Sequence, residues 1–399
     1  MVMRGFVGRT PAPFEERRGK TTSRWTTPTL PGARPRRSTS ALGGSPYTVV
    51  ERVEETARAV SLWLRPADGE VVSPRPGQFF TVVWGRDAAP RKRAYSLSHT
   101  PREDGAIRLT IQRVEGGLVS TPLTESVGAD DQLLLLGPSG SFGARLLDEA
   151  ITRVAMIGGG SGVTPFGALC HSLLPQRPTL RAALLHGSRD RADAIFHDEF
   201  SALAGTHAGR FHVAHVFERD EDGVAAWEGR LSPEVLSSWW ATLAKSLGGP
   251  PELIMVCGPP EMIARVEGAL ATLGVPPARI VTERFVSLAA SPGDAVDATT
   301  AAASPEAQVD AQVHFRVHGQ QRSVRLQAGQ TLLEGGLEAG LDLPFSCGMG
   351  GCGACKVRVV EGEVTMESPN CLSEAERAAG DALACVGHAA GPCVVEVNA

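Results

Sequence analysis

The chain has 399 residues, enough for two to three domains, and its 42% hydrophobic content is sufficient to fill their cores. Its formal net charge of −5 argues against nucleic acid as the main partner. No stretch approaches the roughly 18 apolar residues of a membrane-spanning helix. We expect a cytoplasmic protein without an integral membrane segment, and a monomer.

The first 45 residues differ in composition from the rest of the chain. They are rich in Arg, Ser, Thr and Pro, contain only Glu15 and Glu16 as acids, and show no apolar periodicity. This composition predicts a disordered basic tail over residues 1–45. A transit peptide would also be rich in Arg and Ser and poor in acids, although the prolines weaken its helix. A translation start further downstream is a third interpretation.

Residues 46–149 alternate short apolar runs with Pro and Gly turns. Several short strands without a long helical pattern predict an antiparallel β-barrel or a sandwich, and we favour the barrel. The strand candidates are Tyr47–Val53, Val60–Arg65, Gln78–Trp84, Ala94–Ser98, Ile107–Gln112 and Gln132–Leu136.

Two segments of this half suit a nucleotide cofactor. In Arg93-Ala94-Tyr95-Ser96 the aromatic ring can cover an isoalloxazine, the hydroxyls can bond to ring or ribityl atoms, and the arginine can neutralise a phosphate. The tetrapeptide is weak by itself, because a strand with one buried tyrosine also explains it. The glycines and hydroxyls of residues 116–121 precede a candidate helix and suit a pyrophosphate contact.

Residues 150–288 change character, because apolar runs now alternate with helical patterns. This alternation predicts a parallel sheet in an α/β domain. The strand candidates are Arg153–Ile157, Arg181–His186, Phe211–Val216, Leu253–Val256 and Ile280–Thr282.

Two turns of the α/β half carry possible ligand contacts. Gly158–Pro165 follows the first strand candidate, where glycines let backbone amides approach a phosphate and Pro165 suits a first helical turn. Such turns are common after strands, so this segment alone does not specify a nucleotide site. Cys257 and Gly258 follow the fourth candidate, at the sheet edge where ligands bind. A buried strand-end cysteine explains Cys257 about as well.

The loop after the second strand candidate bears on the choice of nicotinamide nucleotide. Ser188, Arg189 and Arg191 could hold a 2′-phosphate, which favours NADPH. Asp190 could instead bond to a ribose hydroxyl, which favours NADH. A solvated charged loop is the third interpretation, so the choice stays open.

Residues 289–308 have the small, polar composition of a linker, and residues 309–399 contain a cysteine pattern. Cys347, Cys352 and Cys355 follow the spacing C-x4-C-x2-C, and 29 residues separate Cys355 from Cys385. This is the plant-type ligand pattern of a [2Fe–2S] cluster. The glycines between these cysteines allow the backbone to wrap around inorganic sulfide.

Other uses of these cysteines are less favoured. A zinc site usually pairs two C-x2-C half-sites, and a glycine-rich loop is a poor disulfide scaffold. Cys371 and Cys393 fall outside the spacing and are expected to be small hydrophobes, although Cys371 is an alternative fourth ligand. The segment's secondary-structure candidates are strands Val313–Val317, Gln321–Leu326, Lys356–Val360 and Cys393–Val397 and a helix at Thr331–Gly340.

In this order, the motifs of about residues 45–287 resemble those of the ferredoxin–NADP reductase superfamily: R-x-Y-S, G-x-G-x-x-P and C-G-P-P. Residues 309–399 resemble the plant-type ferredoxin fold, an α+β fold of the β-grasp type. The whole chain is similar to the reductase component of multicomponent oxygenases or desaturases. The resemblance implies an FAD-binding barrel at 46–149 and an NAD(P)-binding domain at 150–288. It favours FAD over FMN because residues 116–121 resemble the FAD branch.

The resemblance also implies roles for single residues. The implied flavin contacts are Arg93, Tyr95, Ser96, Gly117, Val119 and Ser120. The implied dinucleotide contacts are Gly160, Gly162, Thr164, Pro165, Cys257 and Gly258. Tyr95, Ser96 and Cys257 are the candidate catalytic residues. The implied iron ligands are Cys347, Cys352, Cys355 and Cys385. Glu283-Arg284-Phe285 resembles the end of the family's reductase domain, and no role is assigned to it.

The three carriers imply an order of electron flow. NAD(P)H gives two electrons as a hydride, the flavin accepts both and releases them singly, and the cluster passes one at a time. We therefore expect an electron-transfer reductase that serves a separate oxygenase, hydroxylase or desaturase. The alternatives are a stand-alone oxidoreductase acting on a quinone or ferric chelate, and a redox-sensing binding module. Acids outnumber bases in residues 309–399, so we expect a basic docking face on the partner.

Replacing Cys385 by Ser is expected to bleach the visible absorption of the cluster, because one of four thiolate ligands is lost. Absorption spectra, corrected for flavin, compare the variant with the unchanged protein. Intact cluster absorption in Cys385→Ser would exclude Cys385 as the fourth ligand.

Overall fold

The computed structural model describes residues 44–85, 91–285, 310–317, 319–345, 347–351, 353–367, 370–372 and 374–397. Residues 1–43 of the predicted tail, the predicted linker at 289–308 and Cys352 lie outside the described residues. Among the helices that are described, none has both the length and the apolar character needed to cross a membrane.

A 6-stranded antiparallel sheet forms the first half, with strands β1 (Ser45–Thr56), β2 (Ala59–Pro66), β3 (Phe79–Trp84), β4 (Arg91–Ser96), β5 (Ile107–Gln112) and β6 (Gln132–Ser139). The strand order is β4-β3-β6-β1-β2-β5. An antiparallel bridge from Leu97 to Leu109 joins the two outer strands. The sheet therefore curls around a core that includes Leu62, Phe80 and Leu109, as the sequence predicts. Helix α1 (Ser120–Glu125) lies between β5 and β6.

A 6-stranded parallel sheet follows, built from β7 (Arg153–Gly159), β8 (Arg181–Ser188), β9 (Phe211–Phe217), β10 (Trp227–Glu228), β11 (Leu253–Gly258) and β12 (Ile280–Arg284). Its order is β10-β9-β8-β7-β11-β12. The helices are α2 (Thr164–Gln176), α3 (His197–Thr206), α4 (Pro233–Leu247) and α5 (Pro260–Thr272). They cover both faces: Val154 and Met156 of β7 pack in one core, and Ala155 and Ile157 pack in the other. This confirms the predicted α/β architecture.

The C-terminal part contains strands β13 (Ala311–Val317), β14 (Gln320–Leu326), β15 (Lys356–Glu361), β16 (Val364–Met366), β17 (Asp381–Leu383), β18 (Gly387–Ala389) and β19 (Cys393–Val397). Its helices are α6 (Leu332–Glu338) and α7 (Glu374–Ala378). The main sheet has the order β14-β13-β19-β15-β17, in which β13 and β19 run parallel. This mixed sheet confirms the predicted α+β fold.

A capping box starts helix α6 where the sequence places a helix. The Thr331 hydroxyl accepts the Glu334 backbone N–H at 3.1 Å, and the Glu334 carboxylate accepts the Thr331 backbone N–H at 3.2 Å. Two otherwise unpaired backbone donors of the first turn are thereby satisfied. The helix then buries Leu332 and Leu333 beneath the sheet.

Candidate functional site

One cavity of about 700 Å³ is lined by residues from all three main sheets or their connections. The flavin motif borders it together with the nucleotide turn, the end of β12 and the cysteine-bearing loop. Seven predicted contacts line its wall: Arg93, Tyr95, Ser96, Gly117, Val119, Ser120 and Thr164. Residues far apart in sequence thus meet at one place.

Strand β4 brings the Arg93–Ser96 motif to the cavity. In the antiparallel register Phe80 lies opposite Tyr95, which packs against the barrel core. Burial raises the pKa of Tyr95, so its hydroxyl stays a hydrogen-bond donor at neutral pH. The Arg93 guanidinium donates to the Lys92 carbonyl at 2.7 Å and borders the cavity.

Gly117 provides a close backbone approach before α1. A Cβ at this position would lie 2.3 Å from the Ser120 hydroxyl and 2.9 Å from the Val114 carbonyl oxygen, so a side chain does not fit. The Ser120 hydroxyl in turn accepts the Val114 backbone N–H at 3.1 Å. This compact glycine turn suits a cofactor phosphate, and with Arg93 and Tyr95 the wall fits the FAD that the sequence implies.

The nucleotide turn packs against the end of β11. A Cβ on Gly162 would lie 2.2 Å from the Cys257 carbonyl oxygen, so only glycine permits this contact. Pro165 occupies the first turn of α2, as predicted. The Ser161 backbone N–H donates to the Gln112 side chain at 3.2 Å, which joins the turn to the end of β5. Gly162 therefore brings the turn beside Cys257 and Gly258, the second predicted nucleotide segment.

A half-buried glutamate carboxylate connects the flavin motif with Cys257. The Ser96 hydroxyl donates to Glu283 Oε2 at 3.5 Å, and the Cys257 thiol lies 3.9 Å from the same oxygen. Burial raises the pKa of Glu283 to about 7, although these two hydrogen bonds oppose the rise. Burial also raises the pKa of Cys257, so the thiol stays neutral. The carboxyl of Glu283 therefore gains and loses a proton near neutral pH.

Sequence reasoning noted the segment that contains Glu283 but gave it no role. The carboxylate becomes distinctive only because β11 and β12 pair Cys257 with Glu283, and because Ser96 arrives from β4. The available signal in the sequence is that Glu283 directly follows the strand candidate Ile280–Thr282, at the sheet edge where ligands bind.

Three of the four predicted iron ligands lie together. Cys347, Cys355 and Cys385 are at most 5% exposed, and the Cys385 thiol is within hydrogen-bonding reach of the other two. Backbone N–H groups of the loop point at sulfur, Gly350 to Cys385 at 3.1 Å and Gly351 to Cys347 at 3.3 Å. Such donors stabilise thiolates, so these residues fit a [2Fe–2S] cluster.

Cys371 lies close to the same loop without joining this arrangement. Its backbone N–H donates to the Gly350 carbonyl at 2.9 Å, and its side chain borders the cavity. Cys355, Cys371 and Cys385 are not disulfide-bonded. Burial raises the pKa of Cys371. Loop amides instead point at Cys385 and Cys347, which favours Cys385 over Cys371 as a ligand.

The cysteine loop contacts the barrel directly. The buried Thr81 hydroxyl on β3 donates to the Cys347 carbonyl at 3.0 Å, and the Ala94 backbone N–H donates to Met349 Sδ at 3.2 Å. Lys92 Nζ lies 3.5 Å from the Glu334 carboxylate, and Leu136 of β6 belongs to the core of the C-terminal part. The predicted cluster loop is therefore fixed beside the flavin motif.

The predicted 2′-phosphate contacts lie elsewhere. Ser188 ends β8, Arg189 follows it, and neither residue borders the cavity. Gly159 of the nucleotide turn is paired with Gly187 on the same sheet edge. Arg189 forms an ion pair with Asp193 at 2.5 Å, and Asp190 accepts from Arg219 at 2.7 Å. The arginine that could hold a 2′-phosphate and the aspartate that could bond to a ribose hydroxyl are thus both paired with other residues of the protein.

Three family models match the chain in sequence order: an oxidoreductase FAD-binding domain at residues 48–143, an oxidoreductase NAD-binding domain at 156–268 and a 2Fe-2S iron-sulfur cluster binding domain at 315–390. They confirm the predicted cofactors FAD, NAD(P)H and [2Fe–2S]. Fold and cofactors define an NAD(P)H-dependent oxidoreductase of the iron–sulfur flavoprotein class.

Known proteins are similar to this chain over most of their length. The ferredoxin reductase component of 3-ketosteroid-9-alpha-monooxygenase from Mycolicibacterium smegmatis is 32% identical, over 84% of this chain and 92% of that protein. The glycine betaine monooxygenase reductase subunit from Chromohalobacter salexigens is 30% identical, over 78% and 84%. Phthalate dioxygenase reductase has the same fold, with a TM-score of 0.56 at 20% identity over 89% of this chain and 98% of that one. The chain belongs to the ferredoxin–NADP reductase superfamily, in the branch with a C-terminal plant-type ferredoxin domain.

Glu283→Gln is expected to slow the proton-linked steps of turnover by roughly a hundredfold or more, because a neutral amide cannot exchange a proton. The rate of the unchanged protein should vary with pH around the Glu283 pKa of about 7, and the variant should lose this inflection. Stopped-flow flavin reduction and steady-state turnover, each measured from pH 6 to 9, give the rate and its dependence on pH.

Glu267→Gln is the matched control, because Glu267 is a surface carboxylate whose partner is Arg284, the residue after Glu283. This control should keep the rate and the pH profile. An unchanged pH profile in Glu283→Gln would exclude the carboxylate as the titrating group.

Proposed function

We propose that this chain transfers electrons from NAD(P)H, through FAD and a [2Fe–2S] cluster, to a separate oxygenase, hydroxylase or desaturase. The observation that supports this most is the shared cavity, where the Arg93–Ser96 motif and the Cys347 loop border the same space. A cofactor held by the first would adjoin a cluster held by the second. The relatives named as reductase components of monooxygenases support the same acceptor class.

We assign binding roles to the residues that border the cavity. Arg93 holds a flavin phosphate, while Tyr95 and Ser96 orient the ring through their hydroxyls. Gly117, with Val119 and Ser120, accommodates the pyrophosphate at its compact turn. FAD supplies the chemistry that accepts a hydride and delivers its two electrons separately.

Further assignments concern the nucleotide and the metal. Gly160, Gly162, Thr164 and Pro165 form the turn for the dinucleotide pyrophosphate, and Cys257 with Gly258 borders the nicotinamide. Ser188 and Arg189 stay candidates for a 2′-phosphate. The assigned iron ligands are Cys347, Cys352, Cys355 and Cys385.

Glu283 stores a proton beside the flavin motif. Its carboxyl is protonated below a pH of about 7 and ionised above it. Ser96 can relay that proton to the cavity, because the residue borders the cavity and its hydroxyl donates to Glu283. The neutral Cys257 thiol provides a second donor that helps to hold the carboxylate once the proton has left.

The division of the chain follows the same proposal. We keep the domain bounds 46–149, 150–288 and 309–399, with a tail at 1–45 and a linker at 289–308. A monomer and a cytoplasmic location stay predictions.

Thr81→Val is expected to slow electron transfer from flavin to cluster by roughly tenfold, because losing a buried hydrogen bond costs about 1–3 kcal/mol and loosens the Cys347 loop. The first step, flavin reduction by NAD(P)H, should keep its rate. Stopped-flow absorption separates the two phases. Thr81→Ser keeps the hydroxyl and serves as the control, and an unchanged second phase in Thr81→Val would contradict the proposed contact.

The function is tested by comparing the unchanged protein with Cys385→Ser. Both should reduce ferricyanide, which takes electrons from the flavin, at similar rates with NADH or NADPH. Only the unchanged protein should reduce cytochrome c, a surrogate for a one-electron protein acceptor. If both proteins reduce menadione rapidly and neither reduces cytochrome c, the chain is a stand-alone quinone reductase.

A further inference from the structure

A cluster of metal-ligating side chains lies between the flavin sheet and the nucleotide sheet, apart from the cavity described above. His99 follows β4, His171 lies on α2 and Glu199 lies on α3. One ligating atom from each of the three lies within 4.8 Å of the others. The cluster therefore combines one residue from the flavin half with two from the nucleotide half.

The His99 ring is held in a tautomer that suits metal binding. Its Nδ1 lies 2.9 Å from the Thr100 carbonyl oxygen, and because a carbonyl only accepts, Nδ1 carries the hydrogen. The lone pair of Nε2 is then available. Burial lowers the pKa of His99 to about 4, so the ring is neutral at physiological pH. A backbone carbonyl on the other ring nitrogen is the usual support of a metal-binding histidine.

The Glu199 carboxylate is also oriented by a neighbour. Arg108 donates to both of its oxygens at 2.8 Å, and His171 Nε2 lies 2.6 Å from Oε1. Burial raises the pKa of Glu199, but these hydrogen bonds outweigh it and lower the pKa to about 2. The carboxylate is thus ionised, and Arg108 can keep its orientation when His171 exchanges its partner.

The charged side chains around the three residues, and a cavity beside them, also affect cation binding. The positive charge of Arg108 opposes a cation, but Glu55 lies close enough to interact electrostatically with both Arg108 and Glu199. A cavity of about 240 Å³ opens beside the cluster and is lined by His99, Thr100 and other residues. Within the described residues, the buried Thr100 hydroxyl has no hydrogen-bond partner. Water in this cavity can complete a coordination shell.

We propose that His99, His171 and Glu199 bind one divalent transition metal of the Zn²⁺ class. Two imidazole nitrogens, one carboxylate oxygen and a water molecule form the four-coordinate set that zinc takes with this ligand type. His171 replaces its hydrogen bond to Glu199 by a bond to the metal. Because the ligands come from both halves, the ion joins the flavin sheet to the nucleotide sheet.

Zinc uptake by the holoprotein, with flavin and cluster present, is measured by equilibrium dialysis and elemental analysis. One zinc ion is expected per chain, and His99→Gln and His171→Gln should each weaken its binding at least tenfold. Both variants keep the Arg108–Glu199 pair, and their flavin content and circular dichroism report folding. His314→Gln removes a histidine of the C-terminal sheet and should bind zinc as the unchanged protein does.

Thermal unfolding gives an independent measurement. Ligand binding to the folded state stabilises it, so zinc should raise the unfolding temperature of the unchanged protein and of His314→Gln. Zinc should leave the unfolding temperatures of His99→Gln and His171→Gln unchanged. The visible absorption of the [2Fe–2S] cluster is followed throughout. Its loss with zinc uptake would mean that the cysteine thiols bind the zinc, which would overturn the proposal. Equal zinc binding by all four proteins, or none by any, also overturns it and leaves the three residues as an interdomain hydrogen-bond network.

Discussion

A buried hydrogen bond from the Thr81 hydroxyl to the Cys347 carbonyl ties the cluster loop to the flavin sheet. Each part has its own apolar cluster, and single residues cross between them: Ala59 and Phe142 pack in the nucleotide half, and Leu136 packs in the C-terminal core. The position of the cluster loop beside the flavin sheet therefore depends on this hydrogen bond together with apolar packing between the parts. Two further contacts add to the Thr81–Cys347 hydrogen bond: Met349 contacts β4, and Leu136 packs in the core of the C-terminal part.

The architecture was accessible from the sequence because its strands have clear local signals. The six barrel strands and the five longer strands of the parallel sheet occur where alternation and apolar runs predict them. Strand β10 was missed because Trp227–Glu228 is too short to show any period. Strands β16 to β18 were missed for the same reason, since each has three residues.

The chemistry was less accessible, because its important contacts are not local. Cysteine spacing identified the cluster loop, yet the neighbours of Glu283 come from β4 and β11 and leave no joint signal in the sequence. The same holds for His99, His171 and Glu199, which three separate segments contribute. Ser188 and Arg189 differ, because their residue types alone suggest phosphate binding; the structure adds that Arg189 forms an ion pair with Asp193.

The contact between Gly162 and Cys257 couples the nucleotide turn to the strand beside it. A Cβ on Gly162 would overlap the backbone of β11, and backbone atoms cannot be removed by substitution. A larger residue in the turn would therefore require β11 to shift, together with the Cys257–Glu283 pairing that follows from its register. The nucleotide turn, the end of β11 and the Glu283 carboxylate are thus mechanically coupled, so a larger side chain at position 162 would disturb all three.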